Sequence, residues 1–253
     1  MKVSTTEKIT LFGFHSVLTR LKSESSSIDI IFLDKNRKDK RIMSILSFAN
    51  EKKVKVELVS NEKLKSLCVE KKTQGVIAFA RKRVLSETLE ELLQNFKTTN
   101  FEFYPTLVFL DGVTDPRNLG AIIRTADSVK VGAIVAPLNH SAPLNDLAIN
   151  TACGATEFIP YIRVSNICRA IETVQNIGYQ VIGMDTDGNK DVFSTDLKQS
   201  NTFIFGDEGV GLKKITKEFC DQIVKLPMYG RVESLNVSVA CAISLYEDYR
   251  QKK

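Results

Sequence analysis

The chain contains no tryptophan, only two histidines, and five cysteines of which no two lie close together in the sequence. Without a Cys-x-x-Cys pair or a histidine cluster, neither a zinc site nor a disulfide framework is expected. The longest uncharged apolar run, Leu235 to Tyr246, is too short to span a bilayer. The first residues, MKVSTTEKITLFGFH, lack the apolar segment of a signal peptide. We therefore expect a soluble, reduced, cytoplasmic protein with no metal and no membrane segment.

Positive charge is distributed unevenly along the chain. Residues 1–85 hold 19 Lys and Arg against 9 Asp and Glu, whereas the remainder holds 16 against 21. This asymmetry indicates a module that faces nucleic acid, although a solvated lysine-rich surface is the simpler alternative. The same 85 residues contain five Phe but no Tyr. The scarcity of aromatic residues favours a surface that follows RNA phosphates and shape over one that stacks on bases.

Apolar patterns divide the chain into two α/β units. We predict a small domain over residues 1–80, a linker over 81–86 that includes the basic tripeptide Arg81-Lys82-Arg83, and a second domain over 87–253. The small domain has β-rich runs separated by helical patterns, which is typical of a compact α/β fold. The β-rich runs are 28–33, 54–59 and 75–80, and the helical patterns are 38–53 and 61–72.

The second domain alternates buried strands with amphipathic helices, as in a mainly parallel sheet covered on both faces. It opens with a helical pattern at 86–96, for which Ser86 or the capping-box pattern Thr88-x-x-Glu91 supplies a candidate N-cap. Strand patterns follow at 106–113, 133–137, 179–185, 202–208 and 223–228, and helical patterns at 118–129 and 166–177. Ligands of such folds bind in the loops at the carboxyl ends of the strands.

The first of three notable loops is D-P-R-N-L-G-A-I-I-R, residues 115–124. It places Asn118 and Arg124 around a helix N-terminus, where free backbone N–H groups favour anions. Because these residues are six apart, they can converge only if Asn118 belongs to the loop or cap and Arg124 to the second helical turn. An ordinary surface arginine is the alternative for Arg124.

The second loop, G-D-E-G-V-G at 206–211, holds Glu208 in a glycine-rich turn after a strand. Its spacing differs from the G-x-G-x-x-G of dinucleotide-binding folds and from a P-loop, so its glycines instead allow a ligand to approach the backbone. The third loop, 226–236, brings Ser234 and Asn236 to the start of an apolar helix. For these two residues a helix N-cap is the alternative, and for Glu208 a solvated loop acid.

In order and spacing, the loops resemble the three motifs of the SpoU branch of the SPOUT RNA ribose methyltransferases. The matching patterns are D-P-x-N-x-G-A-x-x-R at 115–124, G-x-E-x-x-G at 206–211 and P-M-x-G-x-V-x-S-L-N-V-S-V-A at 227–240. G-F-H-S-V (13–17) and T-Q-G-V-I-A (73–78) likewise resemble the opening and close of the family's N-terminal domain, which is L30e-like and binds the RNA substrate. Thr73 departs from the histidine usual there, which we expect to affect RNA contact or domain packing.

The resemblance implies an α/β domain with a deep trefoil knot whose loops hold S-adenosylmethionine, a site that needs no metal, and a homodimer. It implies that Gly206, Leu226 and Leu235 hold the adenine largely through backbone groups. It also implies that Arg124 is central to catalysis, with Glu208 orienting it. Asn118, Asn236 and Ser234 would position the ribose and the nucleotide.

Within the family, the arrangement is most similar to enzymes that methylate the 2′-hydroxyl of a guanosine in 23S ribosomal RNA. A ribose methyltransferase acting on transfer RNA, or at another ribosomal RNA site, is the nearest alternative. A non-catalytic RNA-binding protein would be expected to have lost Arg124, Glu208 or Asn236, and all three are present. A nucleotide-dependent oxidoreductase is disfavoured by the spacing of the glycines.

Overall fold

The computed structural model describes residues 8–67, 73–81, 85, 88–207 and 209–253. The chain separates into two compact units, Met1–Val84 and Leu85–Lys253. Glu208, Ser86, Lys82, Arg83 and the end of the helical pattern at 68–72 lie outside the described residues. Within the described ranges, no helix has the length and apolar character that crossing a membrane requires.

The first unit contains a four-stranded mixed sheet. Its strands are β1 (Lys8–Phe12), β2 (Ile28–Asp34), β3 (Val56–Val59) and β4 (Val76–Arg81), and its helices are α1 (Phe14–Glu24), α2 (Lys40–Glu51) and α3 (Asn61–Leu67). The strand order is β1-β4-β2-β3, with β4 antiparallel to both β1 and β2, and β3 parallel to β2. The three predicted strands are present, but β1 was not predicted, because only the last two of its five residues are buried.

Alternating residues of the central strands supply two apolar clusters, one on each face of this sheet. Ile31, Leu33 and Ala78 pack with the buried residues of α1 and α2, whereas Phe32 and Ile77 pack with Leu64 of α3. This period-two alternation is what a sheet covered on both faces requires.

The second unit contains a seven-stranded sheet in which every described pair is parallel, and this confirms the predicted α/β class with a parallel sheet. Its strands are β5 (Leu107–Asp111), β6 (Ala133–Pro137), β7 (Tyr161–Val164), β8 (Gln180–Met184), β9 (Lys190–Asp191), β10 (Asn201–Gly206) and β11 (Gln222–Lys225). Its helices are α4 (Leu89–Lys97), α5 (Pro116–Ser128), α6 (Asp146–Thr151), α7 (Ile167–Gln175), α8 (Lys214–Glu218) and α9 (Val237–Gln251). The five predicted strands are present, whereas the short strands β7 and β9 and the helices α6 and α8 were not predicted.

Helices cover both faces of the large sheet. Buried residues of α5, α6 and α9 form one apolar cluster with the sheet, and those of α4 and α7 form the other. Helix α4 begins at Leu89, and its N-cap is Thr88, whose side chain accepts a hydrogen bond from Glu91 N–H at 3.1 Å. The trefoil knot stays a prediction.

The strand order β7-β6-β5-β10-β8-β11-β9 decides where the loops meet. From β5 the chain continues outward through β6 and β7, then returns to build the other half of the sheet, so the order reverses between β5 and β10. Because all strands are parallel, the loops after β5, β10, β8 and β11 leave from the same edge of the sheet, and those after β5 and β10 flank this switch point. Open α/β sheets bind their ligands at such a point.

Candidate active site

A cavity of about 230 Å³ opens at the carboxyl ends of β8, β10 and β11. Its walls come from residues 184–186, from the glycine turn after β10, and from the loop that leads into α9. The three positions predicted to hold the cofactor, Gly206, Leu226 and Leu235, all line it, and so does Ser234. The structure therefore places motif positions from two separate loops around one cavity.

The glycine turn at 206–211 closes on itself by paired backbone hydrogen bonds. Asp207 N–H donates to the Gly211 carbonyl at 3.1 Å, and Gly211 N–H donates to the Asp207 carbonyl at 2.9 Å. A Cβ on Gly206 would lie 2.2 Å from the Gly211 carbonyl, and Gly211 has a φ of +74°. These two glycines are thus required by the turn itself, whatever ligand it faces. Glu208, the predicted carboxylate of this turn, lies outside the described residues.

Asp111, the last residue of β5, binds one side of the segment that follows the glycine turn. It is buried, and its carboxylate accepts hydrogen bonds from Lys213 Nζ and Thr216 Oγ1, both at 2.6 Å. The Thr216 side chain is fully buried, so its hydroxyl depends on this acceptor. Asp111 therefore fixes the start of α8 against the end of β5.

Asp185 binds the same segment from the opposite side. Asp111 ends β5 and Asp185 follows β8, and β10 lies between these two strands. Its Oδ2 accepts a hydrogen bond from Leu212 N–H at 2.9 Å and lies 3.0 Å from Lys217 Nζ. Burial would raise the pKa of Asp185, but the Leu212 N–H and the Lys217 ammonium together lower that pKa below its usual value. Asp185 is thus an ionised carboxylate that also lines the cavity.

Sequence reasoning did not identify Asp111 or Asp185 as residues of this site. A signal was present, because each acid follows the apolar residues of a predicted strand, at F-L-D within 106–113 and at G-M-D at the end of 179–185. Their partners Lys213 and Lys217 are not singled out by any spacing rule, since the contacts depend on the order of strands in the sheet.

Asn118 lies in α5, so the condition for it to converge with Arg124, a place in the loop or cap, is not met. The N-cap is Asp115, whose carboxylate accepts from Arg117 N–H at 2.8 Å, and Pro116 occupies the first helical position. Asn118 is therefore the third residue of the helix, and its side chain is buried. Asp-Pro is itself a complete helix start, so the N-cap lies three residues before Asn118.

Asn236 joins the third loop to the first. It is the N-cap of α9, and its Oδ1 accepts a hydrogen bond from Ser238 N–H at 3.0 Å. Its Nδ2 donates to Oδ1 of Asn118 at 3.0 Å. The N-cap interpretation is confirmed for Asn236. Ser234 is not the N-cap, and it is exposed and lines the cavity. Asn236 thus starts α9 and connects it to Asn118 with a single side chain.

Arg124 does not join this pair within the chain. It lies in the third turn of α5, not the second, and six residues along an ideal helix turn its direction about 120° away from that of Asn118. Its side chain is exposed and makes no hydrogen bond or ion pair with the residues that the structure describes. Over the same residues, no group of three or more His, Cys, Asp or Glu side chains could hold a metal ion.

Two sequence families match this chain. The SpoU rRNA methylase family matches residues 105–246, and the family described as RNA 2′-O ribose methyltransferase substrate binding matches residues 10–84. The chain belongs to the SpoU rRNA methylase family, a family of RNA 2′-O-methyltransferases.

Curated relatives match over nearly their full length. The 23S rRNA (guanosine-2′-O-)-methyltransferase RlmB of Ralstonia nicotianae is 40% identical over 96% of this chain and 95% of its own. The protein of the same name from Pseudomonas putida is 38% identical over 99% of both chains. The solved structure of the SpoU methyltransferase AviRb from Streptomyces viridochromogenes, in complex with AdoMet, has a TM-score of 0.71 and covers 96% of this chain and 90% of its own. At 24% identity, AviRb shows similarity of fold.

Proposed function

We propose that this protein transfers a methyl group from S-adenosylmethionine to the 2′-hydroxyl of a guanosine in 23S ribosomal RNA. The observation that carries the proposal is the meeting of the three loops, where Asn236 bonds Asn118 beside a cavity lined by the glycine turn. The reaction and the RNA are those named for the RlmB relatives, which align with this chain from end to end.

The walls of the cavity suit the cofactor. Apolar side chains such as Met184, Leu226 and Val237 supply surface for a purine, and the backbone at Gly206 and Leu235 supplies polar groups at its edge. A mostly apolar pocket with a few placed polar groups is typical of nucleoside sites. We infer that Gly206, Leu226 and Leu235 hold the adenine. When bound, S-adenosylmethionine supplies the electrophilic methyl group.

The chain's own residues would position the acceptor. Methyl transfer to a hydroxyl needs in-line geometry, and positioning can lower the barrier by several kcal/mol, roughly 7–11 in favourable cases. Asn118 and Asn236 would hold the ribose, since their amides are fixed against each other. Ser234, exposed at the cavity, would contact the nucleotide.

Arg124 would act as a cation and not as a base. A guanidinium is a permanent cation in proteins and can stabilise negative charge that develops on the 2′-oxygen. Its exposure leaves it available to the ribose and the neighbouring phosphate of bound RNA. The hydroxyl proton would leave to water, to phosphate or to Glu208, which we also propose orients Arg124.

The first unit would grip the RNA. Its basic loop, defined as residues 35–41, reads K-N-R-K-D-K-R and runs from the end of β2 into the first two residues of α2. The side chains of Lys35, Lys38, Lys40 and Arg41 are exposed. Arg37 is instead paired with Asp39. Such a cluster neutralises phosphates with little dependence on sequence. We propose that residues 1–80 form an L30e-like RNA-binding domain joined by the linker 81–86 to a knotted methyltransferase domain, 87–253, and that the protein is a cytoplasmic homodimer.

Thr73 affects packing in this domain more than RNA contact. Its side chain is buried, and its Oγ1 accepts a hydrogen bond from Gly75 N–H at 3.3 Å. Thr73 therefore supports the turn that precedes β4, and RNA would meet the exposed neighbour Gln74 instead.

The test is methyl transfer in vitro from labelled S-adenosylmethionine to 23S rRNA and, separately, to bulk tRNA, both taken from cells that lack the enzyme. We expect label only in 23S rRNA, recovered as 2′-O-methylguanosine after digestion. Label in tRNA alone would mean that the substrate is tRNA and not 23S rRNA, while the proposed methyl transfer to a ribose hydroxyl would stand. Absence of cofactor binding by calorimetry would overturn the proposal as a whole.

A further inference from the structure

The most exposed large apolar side chains in the described ranges lie beside the cavity. They belong to Tyr229, Val210 and Val232, residues that are 95%, 81% and 65% exposed. Val210 lines the cavity directly, and the other two lie between Met228 and Glu233, which also line it. We refer to Tyr229, Val210 and Val232 as the apolar rim.

Exposed apolar side chains gathered at the edge of one cavity indicate a surface that contacts a ligand or partner. The neighbouring residues favour nucleic acid as the occupant. Arg231 is exposed two positions from Tyr229, and Gly230 between them has no atom within 4 Å of where a Cβ would stand. An aromatic ring next to a cation is the combination with which proteins bind an unpaired base and its phosphate.

The proposed reaction also brings a base to this position. Site-specific recognition of RNA targets unpaired nucleotides in loops and bulges, whose bases and neighbouring bases lack stacking partners. Their faces then lie within one nucleotide of the cavity mouth, where the rim stands. A ring that restores stacking there stabilises the splayed nucleotide in a way that tolerates any base.

We propose that Tyr229 is a stacking platform for an unpaired nucleobase of the RNA substrate at or next to the methylated nucleotide, with Arg231 on the adjoining phosphate. This rests on the proposed function. Tyr229 is a positioning residue in this account, since it acts on RNA placement and not on the methyl group.

The absence of tryptophan from the chain permits a direct test. Tyr229→Trp introduces the only indole, and Tyr249→Trp gives a matched control on α9, where Tyr249 is 38% exposed. Tyr249 lies thirteen residues beyond Asn236, about 20 Å along the helix. We expect in vitro transcribed 23S rRNA to quench the emission of Tyr229→Trp but not that of Tyr249→Trp.

Kinetics supply the second readout. Tyr229→Ala should lower kcat/KM for RNA by roughly five- to a hundredfold, while the Kd for S-adenosylmethionine changes by less than about twofold. Tyr229→Phe keeps the ring and should keep most of the activity. Activity of Tyr229→Ala equal to that of Tyr249→Ala would overturn the proposal.

The emission experiment separates this proposal from the proposed function, because quenching needs RNA contact but no methyl transfer. If RNA quenches the emission of Tyr229→Trp but the unsubstituted protein transfers no methyl group, the proposed function is wrong and the stacking platform stands. If a filter-binding assay shows that Tyr229→Trp binds RNA but its emission is not quenched, the stacking platform is wrong. Emission from Tyr229→Trp that depends on protein concentration without RNA would also overturn it, since a second copy would then cover the rim.

Discussion

Asn236 donates a hydrogen bond from Nδ2 to Oδ1 of Asn118 at 3.0 Å, across 118 positions of the chain. The donor is the N-cap of α9, and the acceptor is buried in the first turn of α5. The hydrogen bond therefore joins the start of α9 to the first turn of α5. The account of the site rests on this pairing.

The pair should behave as one unit in mutagenesis. Asn236→Ser keeps an N-cap but removes the donor to Asn118, so we expect kcat to fall while the free energy of unfolding changes by less than about 1 kcal/mol. Asn118→Ala should lower kcat similarly. The double variant should lose less than the sum of the two losses, with a coupling energy of about 0.5–3 kcal/mol. Strict additivity of the two effects on kcat would show that the pair is not a unit.

Arg124→Ala should separate activity from stability. The residue is exposed and unpartnered among the described residues, so its loss should change the free energy of unfolding by no more than about 0.5 kcal/mol. Removal of a cation that stabilises developing charge should lower kcat by about 10²- to 10³-fold. Arg124→Lys should recover only part of the rate, because the ammonium lacks the planar fork.

The control for this experiment is Arg117→Ala. Arg117 is exposed on the same helix but is not among the proposed site residues. Single-turnover rates of the two variants should differ widely, and equal rates would remove Arg124 from the chemistry.

Asp185 should make the stability of the second unit depend on acidic pH. Its pKa is lower when folded than the ordinary 3.8, so its contribution is present above 3.8 and is lost as the pH falls through the folded value. At pH 7, Asp185→Asn should lower the free energy of unfolding by about 1.5–3 kcal/mol, since hydrogen bonds to a charged acceptor are lost. Affinity for S-adenosylmethionine should fall as the glycine turn loosens.

Urea unfolding at several pH values gives the comparison. The gap between the unsubstituted protein and Asp185→Asn should narrow below pH 3.8. Asp187→Asn is the control, because Asp187 bonds the same Lys217 at 2.8 Å but is 67% exposed, and we expect a cost under about 1 kcal/mol. A gap that stays constant down to low pH would contradict the role given to the Asp185 charge.

The basic loop of the first unit should govern the salt dependence of RNA binding. Alanine at Lys35, Lys38 and Arg41 should reduce the slope of log K against log salt by roughly 0.7–0.9 for each lost phosphate contact. Lys52→Ala with Lys55→Ala is the control, since both side chains are exposed near the opposite end of α2. An equal change of this slope for each substitution in both sets of variants would mean that RNA binding depends on net charge and not on the basic loop.

Local patterns were enough to predict the class of fold and most of its strands. The parallel sheet follows from buried runs such as 133–137, whose predicted bounds match β6. Strands with few buried positions were missed, as β1 shows, because an edge strand need not alternate. The two-residue strand β9 is formed only by pairing with β11, which no local pattern contains.

The loops of the site were found from their motifs, but their contacts were not. That Asp111 and Asp185 hold the segment after the glycine turn from two sides follows from β10 lying between β5 and β8. The hydrogen bond between Asn118 and Asn236 joins residues 118 positions apart, which no local pattern contains. Strand order is a property of the whole sheet. Asn118 and Arg124 fail to converge for a local reason, since Asp115-Pro116 begins the helix before Asn118.

The most direct measurement is nucleoside mass spectrometry of 23S rRNA from cells with the gene deleted, restored, or restored as Arg124→Ala. The account predicts that one 2′-O-methylguanosine disappears on deletion, returns with the unsubstituted gene and stays absent with Arg124→Ala. Full retention of every 2′-O-methylguanosine in the 23S rRNA of the deleted strain would contradict it.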